Sequence, residues 1–242
     1  MNKIAVLFFV GLLLVGETRA QIIGESSGER VREGEFEPPT LRSFEIGLSQ
    51  ARFSPSTEND GEVKYFLNRP LLSFLFRQDN SLLYFDYSNR KVDGKSVGLN
   101  AFGAKFDFEF FLADYRQRLK PLIAISIVAD LIQADRQDNI ERDNPRLTSL
   151  ALGGGGGFNV STRAFILAAK AEAFVGFGTQ GFSAAAGSAK GFLIDVAVQV
   201  PRLFGSYGFA FSYRLRHAIS DYSENRYDYL FNINAFTAGI AF

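Results

Sequence analysis

Tyr229-Leu230-Phe231-Asn232-Ile233-Asn234-Ala235-Phe236-Thr237-Ala238-Gly239-Ile240-Ala241-Phe242 is the stretch whose reading decides the fold. Counting back from Phe242 in twos gives Ile240, Ala238 and Phe236, with Ala241, Gly239 and Thr237 between them. That is the period of two of a β-strand, with one apolar face and one small or polar face. Higher up, Phe231 and Ile233 fall on the opposite parity. If the apolar face is the same throughout, the register must shift near Asn234, most simply through a β-bulge.

The same alternation recurs upstream. Phe102, Ala104, Phe106, Phe108 and Phe110 interleave with Gly103, Lys105, Asp107 and Glu109. Further alternating runs centre on 44–48, 72–76, 83–87, 123–129, 150–158, 165–177, 192–200 and 207–215, which with the closing stretch makes ten strands. Pro70 predicts a bulge or an irregular upper portion in the second strand. In a soluble sandwich the charged face meets water; in a barrel the Phe face meets lipid and the charged face meets the lumen.

Connections and lengths choose between these. The connections after even-numbered strands are roughly 3 to 7 residues and those after odd-numbered strands about 7 to 16, the asymmetry of short periplasmic turns and longer outer loops. The strands run about 12 to 16 residues, at or above the 9 to 11 that cross a bilayer when tilted. The expected fold is therefore all-β: an antiparallel up-and-down transmembrane barrel of ten strands, with eight as the fallback if the Gly-rich or the Pro70 segment fails to pair.

Composition narrows the function. Twenty-six basic and 26 acidic residues cancel among 242, so bulk charge gives no argument for nucleic acid. There is no Cys, which removes disulfides and thiolate sites, and the single His, His217, rules out a His-based metal cage. No catalytic, cofactor or metal site is assigned. Lys3, the apolar run Ile4–Val15 and the small-residue end at Ala20 read as a signal peptide over 1–20. Residues 21–40 read as a flexible periplasmic lead-in. The barrel is expected over 41–242, with both termini periplasmic. With no Trp, interfacial girdles would fall to Phe and to Tyr65, Tyr84, Tyr87, Tyr207, Tyr213, Tyr227 and Tyr229.

These features together resemble small bacterial outer-membrane β-barrel proteins. The resemblance implies an outer-membrane location and recognition of the last strand, through Phe236, Ile240 and Phe242, by the barrel-assembly machinery. The partners it implies are outer-membrane lipids, that machinery and an envelope protein.

Parity places Glu45, Lys105, Asp107, Glu109, Lys170, Glu172, Asp195, Gln199, Arg214 and Arg216 inside. Eight strands are just filled by side chains and aqueous channels need about 16, so ten strands predict a charged network that fills the bore. The expected role is structural or binding, and the protein is not expected to be an enzyme. A narrow channel for ions or small solutes is the alternative. A second alternative starts from Arg214-Leu215-Arg216-His217-Ala218-Ile219-Ser220-Asp221, which resembles the lipid A deacylase barrels and would centre a hydrolase on His217; the His–Ser spacing of three puts the pair on opposite faces of a strand. The ten-stranded outer-membrane protease barrels suggest a rim of His217, Asp221 and Asp130. Gly153–Gly157 lacks the Lys-Ser/Thr and helix of a phosphate loop and reads as room for curvature or bulky neighbours. Gln133–Arg146 reads as a solvated outer loop.

Overall fold

The computed structural model describes residues 41–55, 67–92, 95–113, 117–136, 146–162, 164–180, 186–222 and 228–242. The signal peptide over 1–20 and the lead-in over 21–40 lie outside the described residues. Ten strands follow in chain order: β1 (Arg42–Pro55), β2 (Leu67–Gln78), β3 (Ser81–Val92), β4 (Lys95–Phe111), β5 (Leu119–Arg136), β6 (Arg146–Ser161), β7 (Ile166–Gln180), β8 (Ala186–Phe204), β9 (Tyr207–Tyr222) and β10 (Tyr229–Ala241). Each pairs antiparallel with its sequence neighbours, and β1 pairs with β10, so the sheet closes. The seam is complete to its end: the Phe242 N–H donates to Arg42 O at 3.1 Å. All ten strands take part, so the eight-strand fallback does not apply.

The burial pattern is the reverse of a water-soluble protein. Leu48 and Phe236 are each 65% exposed on the outer face, whereas Glu45, Arg214 and Arg216 inside are at 0%, 1% and 2%. An apolar outer belt around an ionic interior is what hydrocarbon demands of a closed sheet, which has no unpaired edge to leave in lipid. The chain is a transmembrane β-barrel of the outer-membrane type.

Four details of the sequence reading are corrected. First, β10 has no register shift at Asn234. Its ladders to β1 and β9 run unbroken from Tyr229 to Ala241, and Phe231 and Ile233 point inward and are buried. The shift between strands lies instead in β8, between Val200 and Phe204, beside a turn with Arg202 at φ 57° and Gly205 at φ 66°. Second, of the two readings of Pro70 the bulge is not found, and the irregular upper portion of β2 is. Pro70 pairs with Gln50 in an unbroken ladder, while the β2–β3 ladder stops at Leu72 opposite Tyr87. The proline thus sits where β2 has lost one neighbour, a place that tolerates a missing donor.

Third, the outer connections are shorter than expected. The connection after the third strand falls below the expected 7 residues: β3 and β4 stay paired up to Val92 opposite Lys95, leaving only residues 93 and 94 between them. Gln133 and Arg146, the ends of the expected outer loop, pair with each other, and residues 137–145 lie outside the described residues. Strands that rise past the hydrocarbon no longer need apolar side chains, so polarity there did not mark a loop. Fourth, the tyrosines do not all form girdles. Tyr87 and Tyr207 are exposed, but Tyr84 and Tyr229 are buried inside; Tyr65 and Tyr227 lie outside the described residues.

Candidate functional site, a lumen in two tiers

Alternation sends every second side chain of each strand into the bore. In one tier, these are charged. Arg77 of β2 donates to both carboxylate oxygens of Asp195 of β8, at 2.7 and 2.8 Å. Arg214 of β9 donates to Asp86 of β3 at 2.5 Å, and Ser49 donates to the same carboxylate at 3.0 Å. Arg216 of β9 forms a two-pronged pair with Asp130 of β5, to which Tyr84 also donates. Lys105 of β4 lies 3.1 Å from Asp107 and 2.6 Å from Glu172 of β7. Lys170 of β7 donates to Asp107 and, at 2.8 Å, to Glu109.

Glu45 stands apart. Its carboxylate accepts from Ser43 (2.7 Å), Ser212 (3.0 Å) and Thr237 (2.7 Å), hydroxyls on three strands. Counting these inward groups, five cations (Arg77, Lys105, Lys170, Arg214, Arg216) face seven carboxylates (Glu45, Asp86, Asp107, Glu109, Asp130, Glu172, Asp195), so 5 − 7 = −2.

The glycines make room for this tier. A Cβ on Gly103 would lie 2.1 Å from the Tyr84 ring, and one on Gly155 would lie 2.0 Å from Ala171 O. Gly154 and Gly156, which face outward, meet nothing closer than 3.4 Å. The inward glycines of β6 therefore serve close approach, chiefly to the backbone of β7 at Gly155 and Gly157, and to the Ser126 side chain at Gly153.

The other tier, toward the loop side, is apolar. Phe53, Leu71, Leu99, Ile132, Phe174, Phe231 and Ile233 belong to one buried cluster. Phe53 stacks on Tyr229 with ring centroids 4.6 Å apart and meets Phe231 edge-on at 6.4 Å. Arg216 lies at the boundary, its guanidinium 5.4 Å from the Phe174 ring centre.

All the residues read as luminal from sequence face inward: Glu45, Lys105, Asp107, Glu109, Lys170, Glu172, Asp195, Gln199, Arg214 and Arg216. The structure adds Arg77, Asp86, Asp130 and Tyr84, which supply half of three of the pairings above. Arg77 shares the parity of Ser73, and Asp86 alternates with Phe85 and Tyr87, so parity was the available signal for both. Phe236, Ile240 and Phe242 are exposed on the outer face.

His217 is on the outer wall. It stacks on Phe192 at 5.1 Å, and its Nδ1 bonds to Asn232 Oδ1. Ser220 is buried on the inner face and β9 continues to Tyr222, so the strand does not curl to bring the two together. Asp130 is committed to Arg216 inside, which separates it from His217 and Asp221. Among the described residues, no group of three or more His, Cys, Asp or Glu side chains is arranged to hold a metal ion.

No protein-family model and no curated protein matches the chain. Among solved structures, it is similar to the outer-membrane protease OmpT of Escherichia coli, at 11% identity over 89% of this chain and 100% of that one, with a TM-score of 0.35. It is also similar to Ail, the attachment invasion locus protein of Yersinia pestis, in complex with a heparin analogue (16% identity, 84% and 98% covered, TM-score 0.27). Neisserial surface protein A is a third (15% identity, 83% and 95% covered, TM-score 0.26). The assignment of this chain as a membrane barrel rests on its own closed ladder and apolar belt.

Proposed function

We propose that the protein is an integral barrel of the bacterial outer membrane with a structural or binding role, its lumen closed to solutes. The observation that carries this is where the ion pairs run. Arg77–Asp195, Asp86–Arg214 and Asp130–Arg216 each join strands four places apart around a ring of ten. They cross the bore rather than line it. The apolar tier adds a second closure in series. In this reading the working surface is the outside of the barrel and its loops. Phe236, Ile240 and Phe242 carry the signal for the assembly machinery.

A narrow cation path is the second reading, and a specific observation favours it. Ser73 Oγ, Gln199 Nε2, Arg77 Nε and Arg214 Nη1 are buried polar atoms with no protein partner. Buried groups of this kind are usually satisfied by water, and among the luminal side chains named above carboxylates outnumber cations, which would favour cations. Planar-bilayer recording on the refolded protein separates the two. The closed lumen gives no stepwise openings. Cation-selective steps that vanish when Lys105, Asp107 and Glu109 are neutralised would replace it with the channel.

A further inference from the structure

Leu72 opposite Tyr87 is the last pair of the β2–β3 ladder, although β2 reaches up to Leu67 and β3 to Val92. Each strand keeps its other neighbour over that length: β2 stays paired with β1 to Leu67, and β3 with β4 to Val92. Above Leu72 and Tyr87 the wall is therefore split between two strands that are each held from one side only.

The phase of the ladders says which backbone groups face the split. Antiparallel pairs alternate between those that exchange both backbone hydrogen bonds and those that exchange none. Asp79 N–H donates to Leu41 O at 2.8 Å, and Asp107 N–H donates to Asn80 O at 2.9 Å. Counting up each unbroken ladder in twos, odd-numbered residues of β2 bond to β1, and even-numbered residues of β3 bond to β4. Even-numbered residues of β2 and odd-numbered residues of β3 thus turn N–H and C=O toward each other. The bonded pair after Leu72–Tyr87 would be Pro70 with Asn89, and proline has no N–H to give. The split begins at that proline. It leaves the backbone of Asn89 and Lys91 facing it from β3.

Two observations say what fits there. Along the outer face, Leu48, Leu72 and Tyr87 give way at this height to the exposed Gln50 and Asn89. Open backbone groups are not left in hydrocarbon, so the split stands in water. Behind it Phe53, Leu71 and Leu99 are buried, so it is not a window for a solute. What it offers is strand backbone at strand spacing, the template for one more strand. On the β2 side Pro70 blocks such pairing; on the β3 side nothing does. A second copy of the barrel cannot fill the place, because its own strands are fixed in a closed wall.

We infer that the β3 edge above Tyr87 is a docking site for an extended segment of another polypeptide, which adds as a short strand against Asn89 and Lys91. The inference rests on the binding role proposed above and names its class of partner. The segment is recognised through its backbone, so it needs an N–H at alternate residues.

Panning linear twelve-residue peptides on phage against the full refolded chain in lipid nanodiscs supplies the probe, and the most enriched peptide is then synthesised. Asn89→Pro removes an N–H that faces the split and leaves the β4 bonds intact. It should weaken binding about tenfold, the worth of a backbone hydrogen bond. Asn89→Ala keeps that N–H and should change nothing. Pro70→Val gives β2 its missing donor, lets the ladder close, and should weaken binding at least as much as Asn89→Pro. N-methylation of alternate peptide residues should weaken binding in one phase and spare it in the other. No enriched peptide, equal loss in Asn89→Ala and Asn89→Pro, or indifference to N-methylation in both phases overturns the inference. Heat-modifiable migration confirms that each variant is folded. A barrel that is silent in planar bilayers and captures no peptide overturns this site alone, whereas one that conducts overturns the closed-lumen reading beneath it.

Discussion

The two tiers of the lumen fill the same ten-stranded bore by opposite means. In the charged tier, groups such as Arg77 and Asp130 are held by partners four strands away. In the apolar tier, Phe53, Phe231 and Ile233 close the same space by contact alone. The difference teaches that inward parity fixes direction, not chemistry. A bore this narrow can be filled by either. The tiers differ in what a fault costs. A missing carboxylate strands a buried charge, whereas a missing ring leaves a cavity.

That contrast can be broken from either side. Asp130→Ala leaves Arg216 in the bore without its carboxylate. It should lower stability by about 3–5 kcal/mol, read by urea titration of the folded barrel. A loss below about 1 kcal/mol would mean the pair is hydrated and the charged tier is not a plug. Phe231→Ala should cost about 3 kcal/mol through the cavity it leaves among Phe53 and Ile233. A negligible loss there would mean that the ring faces lipid, as the register-shift reading required. The smallest effect sharpens the comparison most. Arg77→Met with Asp195→Leu converts one charged crossing to apolar filling and should change stability little, or raise it. A large loss in the double variant would show that the charged tier does more than fill space.

Much of this molecule was legible in its sequence. Phe102 to Phe110, Phe165 to Phe177 and Phe236 to Phe242 gave both the strand period and the outward face, because a lipid belt tolerates few exceptions. The luminal acids and bases followed by parity. Their partners did not. Whether Asp195 meets Arg77 or Lys170 depends on the tilt and stagger of strands on opposite walls, which leave no mark in local sequence. Phe231 and Ile233 depart from the expectation for a related reason. Apolar side chains on a barrel strand point to lipid by default, and nothing in the stretch itself says that the lumen turns apolar at that height. The short β3–β4 connection has a similar cause: above the hydrocarbon, polar residues such as Asn89 and Lys91 pair as readily as apolar ones.

The closing strand therefore carries the central claim, that β10 is unbroken and turns Phe231 inward while Phe236 meets lipid. The chain has no Trp, so a single Phe→Trp substitution provides a clean probe in lipid vesicles. Fluorescence of Phe236→Trp should be strongly quenched by brominated acyl chains. That of Phe231→Trp should be shielded from both brominated lipid and aqueous acrylamide, as a residue sealed inside the bore. Quenching of Phe231→Trp by brominated lipid as strong as that of Phe236→Trp would put Phe231 outside and contradict the account, and strong quenching by acrylamide would contradict the closed apolar tier.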